Sequence, residues 1–429
     1  MRPLVRLKQL LAYRVPWCPP AWGRAELACS VTAALTGHLI RGKHPLTFAT
    51  EVARLTGRRF AVPLNRARFG ITLILRSLGI GAGDEVVVPA YICESAVEAI
   101  LATGARPAFA DVGEDLNIFP EAVLRALTSH TKCVIVPHLF GRAAPIAGIE
   151  SALRETGIPV IDDAAQSFGA LCDGRPVGSF GIAAVVGCGA GKSLSGVAGS
   201  VLLTDDPRIH DFARANAGGA ERPSEVFRRL ASCWIWRRFR RQTFLFEPWF
   251  RKHFPEPRHV PGPSPISNVD AALAECQLRT LETRAQARRR NSAQIAPLFA
   301  DSDCRVLATF SRTDVALKLV VVLPPSAPSA VDAVEVMQAE GIECQPGYVP
   351  YPIANGDIPH MGSSAELTVT NRLWRSVLCI PVERPIRPEP LRRAIHRLLA
   401  QRGADAVSRH PCSESIDAQP NGERSYRRS

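Results

Sequence analysis

Lysine is scarce in this chain: Lys8, Lys43, Lys132, Lys192, Lys252 and Lys318 are the only lysines among 52 Lys and Arg residues. Any chemistry that needs an amine rather than a guanidinium therefore has few candidates. Paired cysteine motifs are missing too. The 12 Cys include no CxxC pair and no His-spaced metal pattern, which argues against zinc modules and disulfide scaffolds and for reduced thiols in a cytoplasm. Long apolar runs are also absent. Ala25–Ile40 comes nearest, but it carries Glu26 and His38 and is too short, while Met1–Pro19 is basic and broken by proline. Neither a signal peptide nor a membrane span is expected, and the protein reads as soluble and cytoplasmic.

What is present is ordinary globular composition: 46% hydrophobic and 21% charged residues exclude bulk disorder. A length of 429 residues suits two domains. The net charge of +12 points toward anionic partners without choosing among them. Residues 1–45 form a basic arm with at least one helix. From Leu46 onward, apolar β-rich runs (Glu85–Pro89, Pro107–Asp111, Cys133–Pro137, Pro159–Asp163, Ala183–Val186, Ser200–Leu203) alternate with helical spacing at Ser95–Thr103, Pro120–Thr128 and Ile146–Thr156. Apolar runs that do not alternate, separated by helices, predict an α/β fold with a mostly parallel sheet covered on both faces. The expected organisation is a large domain over 46–254, a smaller C-terminal α+β domain over 255–401 and a disordered tail over 402–429. Asn268–Phe299 reads as one long helix, and a strand is expected near Val315–Leu323.

In an open parallel sheet, ligands bind beyond the carboxyl ends of the strands. His138, Asp163 and the Gly187-Cys-Gly-Ala-Gly-Lys-Ser193 loop all follow such strands. Lys192 stands out because a buried lysine amine forms an imine, which a guanidinium cannot. The loop is not a phosphate-binding P-loop, since Val186 occupies the position of the first glycine.

The motifs Val160-Ile-Asp-Asp-Ala-Ala-Gln-Ser-Phe-Gly-Ala170, Gly178-Ser-Phe-Gly181, Gly191-Lys192 and Gly199-Ser-Val-Leu-Leu-Thr-Asp205 follow one another in order. With Leu78–Tyr91, Gly104–Val112, Thr131–Gly141 and, more weakly, Ser267–Ala272, they resemble the DegT/DnrJ/EryC1/StrS sugar aminotransferase family. The resemblance implies fold type I of the pyridoxal 5′-phosphate (PLP) enzymes and PLP as cofactor. It implies a homodimer, an amino donor (glutamate) and a keto acceptor, most often a sugar carried on a nucleotide. Position by position, it implies that Lys192 holds the cofactor and shuttles a proton. Asp163 pairs with the pyridinium nitrogen and Gln166 lies near the ring's phenolic oxygen. His138 belongs to the same cofactor-binding rim.

Departures are equally specific. Where the family has Ser-Gly-Thr at a helix start for the cofactor phosphate, this chain has Arg66-Ala67-Arg68, and Arg68 is the expected replacement donor. The ring-stacking aromatic aligns with Cys93, which leaves stacking lost or supplied by Tyr91. A phosphate-binding serine of relatives is Gly187, and Pro261-Gly-Pro-Ser-Pro265 stands where the partner subunit's Gly-Tyr-Asn is usual. The alternative within the same class is a different PLP reaction such as dehydration, though relatives that dehydrate replace the lysine by histidine and Lys192 is retained; the alternative in a different class is a non-catalytic scaffold or regulator that kept the fold. Finally, Arg228–Phe254 interleaves Arg with Trp and Phe. It reads either as a packed face or as a segment for peripheral contact with an anionic membrane surface. No nucleic-acid partner is expected, because no binding motif accompanies the arginines.

Overall fold

A computed structural model describes residues 15–17, 22–189, 191–196, 198–234, 262–307, 309–355 and 366–400. The larger sheet contains β1 (Phe60–Leu64), β2 (Glu85–Pro89), β3 (Arg106–Ala110), β4 (Thr131–Pro137), β5 (Val160–Asp163), β8 (Ala183–Gly187) and β9 (Ser200–Thr204). A small hairpin, β6 (Leu171–Cys172) with β7 (Arg175–Pro176), lies between β5 and β8. The strand order is β1-β9-β8-β5-β4-β2-β3. The ladders from β3 across β2, β4 and β5 to β8 are parallel, whereas β9 runs antiparallel to both β8 and β1. The expected mostly parallel sheet is therefore present, with Ser200–Thr204 reversed because it returns from β8 through the short Lys192 loop.

Burial on both faces explains the unbroken apolar runs. Every residue of β2, β8 and β9 is buried. One face packs Ile71, Ile74, Val97 and Ile100 against Val86, Val88 and Val185. The other splits between Phe48 with Val52 over Val186 and Leu203, and Val123 with Ile149 over Val134 and Val136. At about 25 cal/mol per Å² of apolar surface, these layers dominate the stability of the larger unit.

A second, antiparallel sheet orders β10 (Arg305–Val306), β11 (Lys318–Val322), β13 (Val377–Pro381) and β12 (Gln345–Pro346) as β10-β11-β13-β12. Helices Ala330–Ala339 and Pro388–Ala400 cover it through Met337, Leu391, Ile395 and Leu398. The single long helix expected over Asn268–Phe299 is instead Asn268–Leu278 followed by Leu281–Ile295 and a 3-10 turn. Thr280, at φ −113° and ψ 6°, interrupts it. The pieces serve different cores: Ala271 and Ala274 pack with Phe48 of the larger unit, and Ile295 packs with Met337 of the smaller one.

The arm contributes helix Arg24–Leu35 and touches both units. Val15 bridges to Ile342, the Trp17 ring carries the Lys318 ammonium 4.4 Å from its centre, and Trp22 is buried beside Trp234, Val269 and Leu273. Of the Arg/aromatic segment, residues up to 234 are described, as a helix over 223–234. There Arg229 is paired with Glu221 and Asp270, and Trp234 lies 5.2 Å from Trp22. Residues 235–254, on which the membrane reading rests, and the tail over 402–429 lie outside the described residues. No helix among the described residues is long and apolar enough to cross a membrane.

Candidate active site

The carboxyl ends of β4, β5 and β8 and the turns that follow β1 and β2 converge on one rim. Alternation along β5 sends its two carboxylates to opposite faces. Asp162 is fully buried and accepts from the backbone N–H of Gly178 at 2.7 Å and of Phe180 at 3.2 Å. His138 Nδ1 accepts from the Ala144 N–H at 2.8 Å, which leaves the ring proton on Nε2, donated to Asp162 at 3.0 Å. Both nitrogens of His138 are thereby occupied, so it braces β4 against β5 with no nitrogen left for a ligand. His138 thus enters the rim as a brace between strands and not as a hydrogen-bonding group for a ligand.

Asp163 faces the other way. Its edge is partly exposed, and among the described residues its carboxylate accepts one hydrogen bond, from the Ala165 N–H at 3.1 Å. Lost hydration raises its carboxyl above the ordinary range, and the opposing pull toward the charged form comes first from Lys192. A carboxylate in this state is matched to a cation brought against it. Lys192 arrives from the β8–β9 loop, where Gly191 adopts φ +74° and the Lys192 N–H donates to the Gly189 carbonyl at 3.1 Å. The Trp22 indole N–H holds the far side of that loop through the Ser195 carbonyl at 2.6 Å. Lys192 also borders a cleft with Leu317, Pro381, Val382 and Glu383 of the smaller unit.

Gln166 lies in the turn after Asp163, and its Nε2 donates to the Tyr348 hydroxyl at 2.8 Å. Among the described residues its buried Oε1 has no partner, nor has Oγ of Ser193 beside Lys192. Buried polar atoms are nearly always satisfied, so these two are open to polar groups of a ligand. With an under-bonded Asp163 opposite a lysine, the residues present fit a pyridinium ring with a phenolic oxygen.

Tyr348 was not singled out from the sequence. A lone tyrosine after Pro346-Gly347 carries no periodic signal, and only packing of the smaller unit onto the larger brings it to the rim. Tyr91, the suggested stacking substitute, is completely buried, with its ring tilted against Phe140 and Tyr348 and its hydroxyl accepting from the Tyr348 N–H at 3.0 Å. It presents no open ring face. Cys93 caps helix Glu94–Leu101, and its Sγ lies 3.1 Å from the Ser95 hydroxyl.

At the helix Ala67–Ser77, the N-cap is Arg66 in extended backbone and Ala67 is the first helical residue. The Arg68 guanidinium is engaged by Glu98 at 2.5 Å. Arg66 makes no ion pair among the described residues; its neighbours Glu221 and Asp270 are both bound by Arg229. Burial lowers the Arg66 pKa, assisted by Arg229 and Arg68 and opposed by Glu221 and Asp270.

Residues 23–399 match the model of the DegT/DnrJ/EryC1/StrS aminotransferase family. The chain belongs to that family. As a member it is a PLP-dependent aminotransferase of fold type I. Solved structures agree in fold. An aminotransferase, TlmJ from Streptoalloteichus hindustanus, is 24% identical over 91% of this chain and 100% of its own, with a TM-score of 0.73. DesI, solved in the presence of its TDP-sugar product, is 24% identical over 92% and 96%, with a TM-score of 0.71. The PMP form of Spr1654 from Streptococcus pneumoniae is 18% identical over 91% and 99%, with a TM-score of 0.73, and its PLP form has also been solved.

Proposed function

We propose that this aminotransferase moves the amino group of glutamate to the keto group of a sugar carried on a nucleotide. The observation that carries the reading is Lys192 set against an under-bonded Asp163, with the unpartnered Gln166 oxygen in the next turn. When bound, PLP supplies an electron sink for the bond broken at the substrate carbon. Asp163 would hold the proton on the pyridine nitrogen. Lys192 Nζ would hold the cofactor, and its amine would take and return the proton at that carbon. The Ala67 and Arg68 backbone amides at the helix start, with the Arg66 side chain, suit the phosphate. The family supports a sugar acceptor; DesI was solved with a TDP-sugar product, and its likeness to this chain supports the nucleotide.

Incubation with glutamate and a panel of nucleotide-linked keto sugars should release 2-oxoglutarate with at least one of them. In parallel, borohydride reduction and peptide mapping should place the label on Lys192. Label on another lysine, or no 2-oxoglutarate with any keto sugar, would count against the reading.

A further inference from the structure

Tyr348 reaches the site from the smaller unit along a turn that only glycine permits. A Cβ on Gly347 would overlap the Tyr91 hydroxyl and press on Val377. The Tyr348 N–H donates to that hydroxyl at 3.0 Å, and its ring lies nearly parallel to Phe140, 6.5 Å away at 17°. Backbone and ring are thus both held, and the hydroxyl is fixed 2.8 Å from one end of the Gln166 carboxamide.

That carboxamide has two chemically different ends, and a half-turn about its last bond exchanges them. As it stands, Nε2 donates to Tyr348 and the buried carbonyl oxygen has no partner among the described residues. A phenolic oxygen on a cofactor ring accepts hydrogen bonds, so a carbonyl oxygen facing it would repel. A tyrosine hydroxyl serves either orientation, because it accepts from an amide NH2 and equally donates to an amide oxygen.

We propose that Tyr348 is a positioning residue: with cofactor bound, its O–H donates to Gln166 Oε1 and so presents Nε2 to the ring's phenolic oxygen. The inference rests on Gln166 lying at that oxygen, as the proposed function has it. The groups facing Tyr348 agree. Burial, with Cys93, Cys379 and Asp163 nearby, lifts its hydroxyl well above the ordinary tyrosine range, and the bond from Gln166 opposes this. The proton needed for donation therefore stays in place through the working pH range.

The test is a pH titration of the visible absorbance of the PLP-loaded protein, for wild type, Tyr348→Phe, Gln166→Ala and the double variant. A donor on the phenolic oxygen favours the Lys192 linkage without its proton, so losing the donor raises the titration midpoint. Tyr348→Phe keeps the ring packing and should raise it by about half to one pH unit, the size of one neutral hydrogen bond. In the Gln166→Ala background the same substitution should add nothing, because tyrosine acts through the amide. An unchanged midpoint in Tyr348→Phe, or an equal further rise in the double variant, overturns the proposal. A wild-type protein with no visible band, or a band that survives Lys192→Ala, overturns the underlying placement of the cofactor instead.

Discussion

The two parts of the site proposed for the cofactor's ring and for its phosphate are built in opposite ways. On the ring side, Asp163 and Gln166 keep few internal partners and leave polar atoms open, while the surrounding His138–Asp162 pair and the Tyr91–Tyr348 contact are closed and buried. At the start of helix Ala67–Ser77 the reverse holds: the charged groups are plentiful and most are already paired, Arg68 with Glu98 and Arg229 with Glu221 and Asp270. The proposed ring side would recognise its ligand by what it leaves unsatisfied. The proposed phosphate side would do so through Arg66, the member of that group without an ion-pair partner among the described residues.

The largest expected effect sharpens the first half of that contrast. Asp163→Asn should keep the fold and bound cofactor yet lower transamination by orders of magnitude, measured as turnover at saturating substrate. The same change should help the cofactor-free protein. Burial raises the Asp163 pKa on folding, so between the ordinary aspartate range and the raised value the folded state binds more protons than the unfolded. Stability then falls as pH rises through that window. Removing the charge should raise the melting temperature of the cofactor-free protein at neutral pH and leave it unchanged below the window. Retained turnover would place the pyridinium partner elsewhere.

A smaller effect is expected from the phosphate side. Arg66→Ala should weaken PLP retention roughly tenfold to a hundredfold, the worth of one charged hydrogen bond of about 1.5–3 kcal/mol. Arg68→Ala should weaken it less, because its guanidinium is held by Glu98. Equilibrium dialysis of the cofactor against both variants orders them, and the opposite ranking would break the contrast. The smallest effect concerns the back of the Lys192 loop. Trp22→Phe removes the bond to the Ser195 carbonyl while keeping most of the packing. It should cost about 1 kcal/mol, read as a melting temperature lower by a few degrees.

Much of this was legible in the sequence where burial on two faces wrote unbroken apolar runs: Glu85–Pro89 agrees residue for residue, and the other expected strands of the larger sheet agree within one or two residues. The same runs concealed direction. Ser200–Thr204 is as apolar as its parallel neighbours, and only the shortness of the Lys192 loop distinguishes a reversed strand. Phe60–Leu64 was missed because Pro63 argues against a central strand; β1 pairs only with β9 and sits at the edge, where proline is tolerated. The helix break at Thr280 was hidden by Leu278 and Leu281, which preserve helical spacing across it. At the site, Lys192, Asp163 and Gln166 were readable because they lie in local motifs. Tyr348, the occupied nitrogens of His138 and the pairing of Arg68 were not, since each depends on a residue distant in sequence.

The arm that bridges Val15 to Ile342 and Trp22 to Ser195 also constrains the order of assembly. Synthesis proceeds from the amino end, so Val15 leaves the ribosome more than three hundred residues before the strand partner it needs. The larger sheet has every strand in hand by Thr204 and is free to collapse first. The Val15 segment therefore finds its final place only after Ile342 has been made, later than the strands of the larger sheet.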